Sequence, residues 1–319
     1  MKENTVVTIG DMNYLWGIFM LIASMRQNGM DEPVLVGGLA FTDEAVRLLQ
    51  QFPDVRVAVL QPTAQSLTCR KPEVMLLADP AARYLTWVDS DGFFIGNCSQ
   101  RLIPHEPHHI HVRRRAPAEN PLAFRGFTAP GEDGTSIPKA ILDAWQRDVR
   151  HGLDAPRYAQ SCSACFLSVH AADRPFLQQW QQQMLTVLPH DNVGVVDRRL
   201  KAYHQLDESV LNSLLNFWPD APTVTDTFQL DKDRSQLFVH FIGSPKPWVG
   251  WTPASIRHFD AYTAVAERAA QDGLTLPGGA LPYALRHDSR RVWHLIQHPY
   301  SLACKLRNRW RKLKRRLLP

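Results

Sequence analysis

Short apolar runs typical of β-strands alternate along the chain with stretches that have helical character. The clearest helical stretches are Leu15 to Gln27 and Asp43 to Gln51, and the segment from Ala116 to Pro138 predicts a long surface loop. Strands that alternate with helices predict an α/β sheet. With 319 residues and 45% hydrophobic content, the chain can bury one large core or two modest ones. The predicted strands are Thr5 to Gly10, Val34 to Gly38, Val55 to Leu60, Tyr84 to Val88, Phe166 to Val169 and Leu237 to Phe241.

Two carboxylates, Asp89 and Asp91, interrupt an apolar run that extends from Tyr84 to Ile95. Charges that leave water must be paired, protonated or coordinated. In an extended segment, residues i and i+2 project to the same side, so both carboxylates can reach one hard divalent cation such as Mg²⁺ or Mn²⁺. The alternative is a strand that ends in a plain Asp-Ser-Asp-Gly turn, since these are ordinary turn residues.

Two further segments, far apart in the chain, have to be considered together with this aspartate pair. Thr5 to Tyr14 is an apolar strand that ends in a polar turn, and His240 to Trp248 has the spacing His-x-x-Gly-x-x-Lys-Pro-Trp. Together with Tyr84 to Asp91, they resemble the first strand, the C-terminal signature and the Asp-x-Asp strand of the retaining glycosyltransferases of family 8. The resemblance covers about residues 5 to 250. Looser matches to its acceptor side and active-site helix are Phe166 to Val169 with Phe176 and Trp180, and Leu206 to Asn212.

This resemblance implies a GT-A fold, a mixed sheet flanked by helices that binds a nucleotide sugar, usually a UDP-sugar, with Mn²⁺ or Mg²⁺. It implies Asp89, Asp91 and His240 as metal ligands, and a neutral imidazole is compatible with Mn²⁺ beside carboxylates. It also implies that Lys246 meets the diphosphate as a point charge and that Gly243 lets the backbone approach it. The residues implied for the base, the ribose and other donor contacts are Asp11, Asn13, Tyr14 and Ser90, with either Arg70 or Lys71 at the family's donor-binding arginine.

Glu208 departs from the resembled pattern, because the family commonly has an amide at this position directly after Asp207. We hypothesise that Glu208 lies on the sugar face opposite the leaving UDP, as a nucleophile or as an ion-pair stabiliser of an oxocarbenium-like transition state. Asp207 and Glu208 together are the predicted catalytic residues. The alternative is a helix N-terminus, where both carboxylates are favourable against the macrodipole.

The net charge of +5 is unevenly distributed, because the C-terminal tail is strongly basic. Eight basic and no acidic residues lie between Lys305 and Arg316, so the rest of the chain is net acidic. After Pro299, a predicted helix start, an apolar stripe with helical spacing runs beside them. Such a helix is typical of an anionic membrane surface. The alternatives are a stripe packed on the protein body or a nucleic-acid patch, and no nucleic-acid fold is recognisable. The stripe is Leu302, Leu306, Trp310, Leu313 and Leu317.

Cysteine usage and the absence of a targeting pattern predict a cytoplasmic protein, and the basic tail predicts that it is peripheral to the inner face of the plasma membrane. The N-terminus is too polar for a secretory signal, and the longest apolar run, Leu15 to Met25, is too short to span a bilayer. Five cysteines, an odd and small number, fit a reducing compartment. Two weaker metal hypotheses are a CxxC at Cys162 and Cys165, and the histidine cluster from His105 to His111. Arg113 to Arg115 are candidates for contact with an anionic acceptor.

Three functions compete on this basis. The leading prediction is a metal-dependent retaining hexosyltransferase that moves a sugar from a UDP-sugar to a lipid-linked or cell-surface glycan, as in lipopolysaccharide or capsule assembly, with no nucleic-acid partner. The second is a GT-A enzyme with another nucleotide sugar or an inverting course. The third is a non-catalytic protein of this fold at a membrane surface. The predicted domains are a catalytic domain over 1–251, a small appendage over 252–298 and a membrane-associated helix over 299–319.

Overall fold

A single mixed sheet forms the centre of this computed structural model, which describes residues 3–104, 106–190, 196–226 and 237–317, apart from the side chains of residues 226 and 311–317. The strands are β1 Asn4–Gly10, β2 Val34–Leu39, β3 Val55–Leu60, β4 Tyr84–Val88, β5 Gly92–Phe94, β6 His109–Arg114, β7 Cys162–His170, β8 Thr223–Asp226 and β9 Phe238–His240. The helices are α1 Leu15–Gln27, α2 Asp43–Gln50, α3 Lys71–Leu76, α4 Ser99–Leu102, α5 Asn120–Ala123, α6 Lys139–Asp148, α7 Arg174–Val187, α8 Asp207–Phe217, α9 Phe259–Gln271 and α10 Arg290–Leu317.

Seven strands form the main sheet in the order β3-β2-β1-β4-β7-β6-β8. The first four are parallel, and Val6 pairs with both Val34 and Thr86. The next strand, β7, is antiparallel to β4 and β6, while β8 runs parallel to β6. The remaining strands, β5 and β9, form a separate two-stranded sheet. The α/β mixed sheet predicted from the sequence is therefore confirmed.

The two faces of the main sheet bury separate hydrophobic clusters, because successive strand residues point to opposite sides. Val6 and Val88 lie in one cluster, and their neighbours Val7 and Trp87 lie in the other. The first cluster is covered mainly by α1 and α9, the second by α3, α6, α7 and α8. The segment predicted as an appendage shares the first cluster through several buried residues, namely Ile256, Phe259, Tyr262, Val265, Ala266, Ala269, Leu276, Leu285 and Trp293.

The predicted strand positions are confirmed, with different lengths for some of them. The strand predicted over Phe166 to Val169 extends over all of β7, and the one predicted over Leu237 to Phe241 is the short β9, which lies outside the main sheet. Three strands were not predicted: β5, β6 and β8. β5 has only three residues and directly follows the turn that contains Asp89 and Asp91, whereas β6 and β8 are rich in His, Arg or Thr, so none of the three has a long apolar run of its own.

The tail helix does not begin at Pro299 as predicted. It begins at Arg290, and Pro299 lies inside it. An internal proline lacks the amide donor and weakens a helix. Here side chains on both sides of it, Trp293 and Tyr300, pack against the protein body. Among the described residues, no helix has both the length and the hydropathy required to cross a membrane.

Candidate functional site

The chemistry-bearing residues meet at the edge of the main sheet where β1 and β4 end. Asp11 follows β1 and Asp89 follows β4. Since β7 is antiparallel to β4, its first residues lie at the same edge, and the Asp89 amide donates to the Cys165 carbonyl at 2.9 Å. Ligand crevices in open α/β sheets lie outside the carboxyl ends of the strands. This edge is therefore the candidate site.

The small β5–β9 sheet brings His240 to the aspartate pair from far along the chain. Gly92 pairs with His240, and the Phe241 amide donates to the Asp91 carbonyl at 2.9 Å. We name residues 240–250, which contain the His-x-x-Gly-x-x-Lys-Pro-Trp pattern, the signature loop. Backbone hydrogen bonds therefore connect the aspartate turn, residues 89–91, to the start of the signature loop.

Asp89, Asp91 and His240 form a group that could hold a metal ion, with ligand atoms that all lie within 4.8 Å of one another. His240 Nε2 is 3.0 Å from Asp91 Oδ1 and 3.7 Å from Asp89 Oδ2. Two carboxylates and an imidazole, all only partly exposed, suit Mn²⁺ or Mg²⁺. Within the described part of the chain this is the one such group. The residues present therefore fit the metal that the resemblance implies.

Positive charges compensate Asp91 from two directions. Lys246 Nζ donates to Asp91 and also to the Phe241 carbonyl, the latter at 2.7 Å. Burial alone would raise the pKa of Asp91, but His240 and Lys246 outweigh it and hold that pKa well below its usual range. Burial would likewise lower the pKa of His240, and the carboxylate of Asp91 raises it instead. Asp91 is therefore an anion at any physiological pH.

Lys71 is buried between two carboxylates. Its Nζ lies 3.0 Å from Asp89 Oδ1 and 3.0 Å from Asp207 Oδ2, and it donates to the Ala164 carbonyl at 2.8 Å. Burial would lower the pKa of Lys71, but Asp207 and Asp89 raise it above its ordinary value. Burial raises the pKa of Asp207 to about 6, with Lys71 acting against the rise. At neutral pH, a fixed cation thus joins Asp89 to Asp207.

The sequence left open whether Arg70 or Lys71 contacts the donor, and in the structure these two residues have different partners. Arg70 donates to both carboxylate oxygens of Glu73 at 2.7 Å and to the Gln61 carbonyl. The structure thus places Lys71, and not Arg70, beside Asp89.

Glu208 is held by two donors, one on β7 and one directly after β6. Arg115 Nη2 donates to Glu208 Oε1 at 2.6 Å, and the Ala164 amide donates to Oε2 at 3.0 Å. Burial would raise the pKa of Glu208, but Arg115 and the Ala164 amide lower it. Arg115 itself is fixed by Ser161 Oγ at 2.9 Å. The carboxylate is therefore ionised and oriented, beside the Lys71–Asp207 pair.

A strained residue precedes the Asp207–Glu208 pair. Leu206 has φ +50° and is fully buried, at the position before α8. A non-glycine residue in this region costs about 1–3 kcal/mol and persists where surrounding packing determines it. The buried Leu206 side chain and the first turn of α8 together aim both carboxylates at the sheet edge.

The turn after β1 is joined to the end of the signature loop. Asp11 accepts hydrogen bonds from the Asn13 amide at 2.9 Å and from Asn13 Nδ2 at 3.1 Å. Trp248 Nε1 donates to the Asn13 carbonyl at 3.0 Å, and its ring meets Tyr14 edge-on at 5.8 Å. Burial and the nearby Asp91 raise the pKa of Tyr14. Tyr14 therefore lies near the Asp89-Asp91-His240 group, in the same turn as Asp11 and Asn13.

Two glycines shape this region. Gly243 has φ +86°, is exposed, and has no atom within 4 Å of a Cβ added to it, so the signature loop presents open backbone there. A Cβ on Gly17 in α1 would lie 2.3 Å from the carbonyl oxygen of the buried Ser90 and 2.6 Å from the Trp248 ring. Gly17 was not singled out from the sequence, although a glycine inside an apolar helix is the signal of such close packing.

Two other contributors, Arg115 and Ala164, were also not predicted for this site. Arg115 was considered only as part of a basic run facing an acceptor. In the structure it pairs with Glu208, and Arg113 pairs with Glu119 at 2.7 Å. Ala164 acts through its backbone, which no side-chain pattern reveals. Tertiary structure alone showed that both residues belong to the site.

The weaker metal hypotheses find no support in the described residues. Cys162 and Cys165 are free thiols, and neither belongs to the group of potential metal ligands found there. His108 Nδ1 lies 3.0 Å from Asp173 Oδ1. His105 lies outside the described residues.

The apolar stripe of α10 points away from the protein body. Leu302, Leu306 and Trp310 are 59%, 55% and 66% exposed, and Leu295 continues the stripe at 80% exposed. Leu313 and Leu317 have side chains outside the described part. The predicted alternative, in which the stripe packs on the body, is wrong for Leu302, Leu306 and Trp310. The face that does pack on the body includes the buried Trp293, Ser301 and Cys304.

Comparisons with known proteins give a likeness in structure only. No protein-family profile and no curated protein sequence match the chain. Its fold is similar to that of the apo structure of WbbM, a bifunctional glycosyltransferase, with a TM-score of 0.52 and 13% identity over 82% of this chain and 49% of that one. It is similar to the glycosyltransferase GlyE of Streptococcus pneumoniae TIGR4, with a TM-score of 0.51 and 12% identity over 86% of this chain and 64% of that one.

The chain thus spans about half of the WbbM chain and about two thirds of the GlyE chain. These likenesses show that it has the GT-A-like fold of these glycosyltransferases.

Proposed function

We propose that the protein is a metal-dependent retaining glycosyltransferase that moves a hexose from a UDP-sugar to a glycan or glycolipid acceptor. The observation that carries this proposal is the Asp89-Asp91-His240 group, at the carboxyl edge of a sheet whose fold is that of glycosyltransferases. Lys71, Asp207 and Glu208 lie beside it. A non-catalytic protein has no evident need for so many partly buried charges in one place.

We assign the residue roles from the family resemblance together with the positions of the residues. A bound Mn²⁺ or Mg²⁺ would neutralise charge on the departing diphosphate. Asp89, Asp91 and His240 would hold that ion, and Lys246 would offer a second positive charge from the signature loop. Asp11, Asn13 and Tyr14 would bind the base and ribose at the neighbouring turn, and the open backbone at Gly243 would meet the phosphates.

Glu208 fits the role of an electrostatic stabiliser better than that of a free nucleophile. Both of its oxygens accept hydrogen bonds, from Arg115 and from the Ala164 amide, which hold it ionised. A fixed negative charge beside the sugar favours the positive charge that develops at the anomeric carbon. Asp207 is buried and would act through Lys71, which joins it to Asp89.

The acceptor is proposed to be lipid-linked, as in lipopolysaccharide or capsule assembly at the cytoplasmic face of the plasma membrane. The exposed stripe of Leu302, Leu306 and Trp310 supports this, because the basic residues of the tail lie on the same helix. Each basic residue near an anionic surface contributes about 1 kcal/mol. The enzyme would bind beside its acceptor without crossing the bilayer.

Calorimetric titration of UDP, with and without Mn²⁺, tests the donor site. We expect UDP to bind only with Mn²⁺ and at least about tenfold more tightly than GDP or ADP. Asp91→Asn removes one metal ligand and should abolish this binding, while Asp79→Asn, at an exposed aspartate far from the site, should leave it unchanged. Binding of GDP or ADP instead would indicate another donor, and no metal-dependent nucleotide binding would refute the proposal.

A further inference from the structure

The signature loop rests on α10 through contacts at three places. Tyr300 Oη donates to the Val249 carbonyl at 3.2 Å, and Asn308 Nδ2 donates to Ser244 Oγ at 3.2 Å. At Gly250 the backbone lies so close to the helix that an added Cβ would be 2.4 Å from Tyr300 Cε1 and 2.8 Å from Trp293 Cη2. The helix therefore supports the loop from Ser244 to Gly250.

These contacts come from one continuous face of α10. Trp293, Tyr300 and Asn308 are spaced by about two helical turns each, so their side chains project to the same side. Ser301 and Cys304, which lie close to this line, are both 4% exposed. The stripe of Leu302, Leu306 and Trp310 is on the opposite side. One helix thus has a loop-supporting face and an exposed face.

The signature loop is open at Ile242 and Gly243, where the diphosphate is proposed to lie. Ile242 is 83% exposed, and no atom lies within 4 Å of a Cβ added at Gly243. His240, at the start of the loop, is held by the β5–β9 pairing, whereas Ser244 is held by Asn308. Support from α10 therefore acts on the middle and end of the loop, and the metal-ligating start is fixed independently.

We propose that Tyr300 and Asn308 are positioning residues for donor binding. They hold the signature loop at the distance from Asp91 at which Gly243 and Lys246 can meet a diphosphate. This inference rests on the proposed function and adds α10, outside the region of the family resemblance, to the machinery of the same site. Neither residue touches the donor in this scheme, so each acts through the loop.

Calorimetry with UDP and Mn²⁺ on single and double variants tests this positioning. Asn308→Ala and Ser244→Ala each remove one partner of the same hydrogen bond, and Tyr300→Phe removes a hydroxyl while keeping the ring on Gly250. We expect each to weaken UDP binding about threefold to tenfold. The Asn308→Ala/Ser244→Ala double variant should be no weaker than either single variant, because both remove one interaction. His298→Ala, at an exposed position of α10, is the matched control.

Two further readouts separate positioning from general destabilisation. The affinity for Mn²⁺ alone should stay within about twofold of the unmodified protein, since the β5–β9 pairing holds His240, and the thermal midpoint should shift little. UDP affinity that is unchanged in all three single variants would overturn the proposal. So would losses of UDP and Mn²⁺ binding that simply follow the thermal midpoint. If the unmodified protein binds no UDP with Mn²⁺, the proposed function itself fails, and this inference fails with it.

Discussion

At the scale of single residues, Lys71 and Arg115 hold the carboxylates of the candidate site in place. Each is a largely buried cation that fixes a carboxylate at the first turn of α8, Lys71 for Asp207 and Arg115 for Glu208. Removing one partner of such a pair leaves an uncompensated buried charge, which is strongly destabilising. Four charged residues are therefore interdependent, and a substitution at any one of them must be read together with its effect on stability.

The charge of Glu208 is the first quantity to test at this scale. We expect Glu208→Gln to lower the turnover of the UDP-sugar at least about a hundredfold while UDP affinity changes little, because a preorganised charge acts on the transition state. Glu208→Asp keeps the charge and should retain more activity than the amide. Steady-state kinetics together with thermal unfolding separates rate from stability. Full turnover in a folded Glu208→Gln protein would exclude a catalytic role.

Helix α1 determines the position of the aspartate turn at the scale of elements. It is buried along most of its length and packs beneath the turn after β4. Gly17 lets the Ser90 carbonyl and the Trp248 ring approach the helix together. Because Ser90 lies between Asp89 and Asp91, the distance between this helix and the turn sets where both carboxylates stand.

A methyl group at Gly17 should disturb this arrangement. Its Cβ would lie 2.3 Å from a backbone oxygen, which cannot be relieved by a side-chain rotation. We expect Gly17→Ala to lower the free energy of unfolding by about 1–3 kcal/mol, as overpacking does, and to weaken Mn²⁺-dependent UDP binding. Gly96→Ala is the matched control, since its nearest contact is the flexible end of the Leu237 side chain. Equal effects of the two substitutions, measured by denaturant unfolding, would contradict the role assigned to Gly17.

At the scale of the whole molecule, the face that supports the signature loop and the proposed membrane surface lie on opposite sides of α10. One face supports the signature loop, and the other exposes Leu302, Leu306 and Trp310. An exposed apolar stripe beside basic residues is typical of helices that lie in the membrane interface. In this arrangement, an enzyme bound to a bilayer would hold its donor site close to a lipid-linked acceptor.

Vesicle sedimentation tests the membrane surface with the full chain. We expect binding to anionic vesicles that weakens as salt is raised, and weak binding to zwitterionic vesicles. Trp310→Glu and Leu306→Glu each place a negative charge in the stripe and should reduce binding at least about tenfold. Ala264→Glu, the same charge change at an exposed position of α9, should have a much smaller effect. Equal binding by the stripe variants and the control would refute this surface.

The resemblance to family 8 implied His240 and Lys246, whereas the residues by themselves determined the α/β architecture, the strands β1 to β4 and the Asp89–Asp91 pair. Their signals are local: apolar periodicity follows the repeat of each element, and the residue types of a metal site follow from its chemistry. Only the tertiary structure decided that Lys71 stands beside Asp89, that Arg115 pairs with Glu208, and that α10 exposes its stripe while supporting the signature loop. These are contacts between elements far apart in the chain, and they depend on strand order and helix packing, which no local pattern encodes.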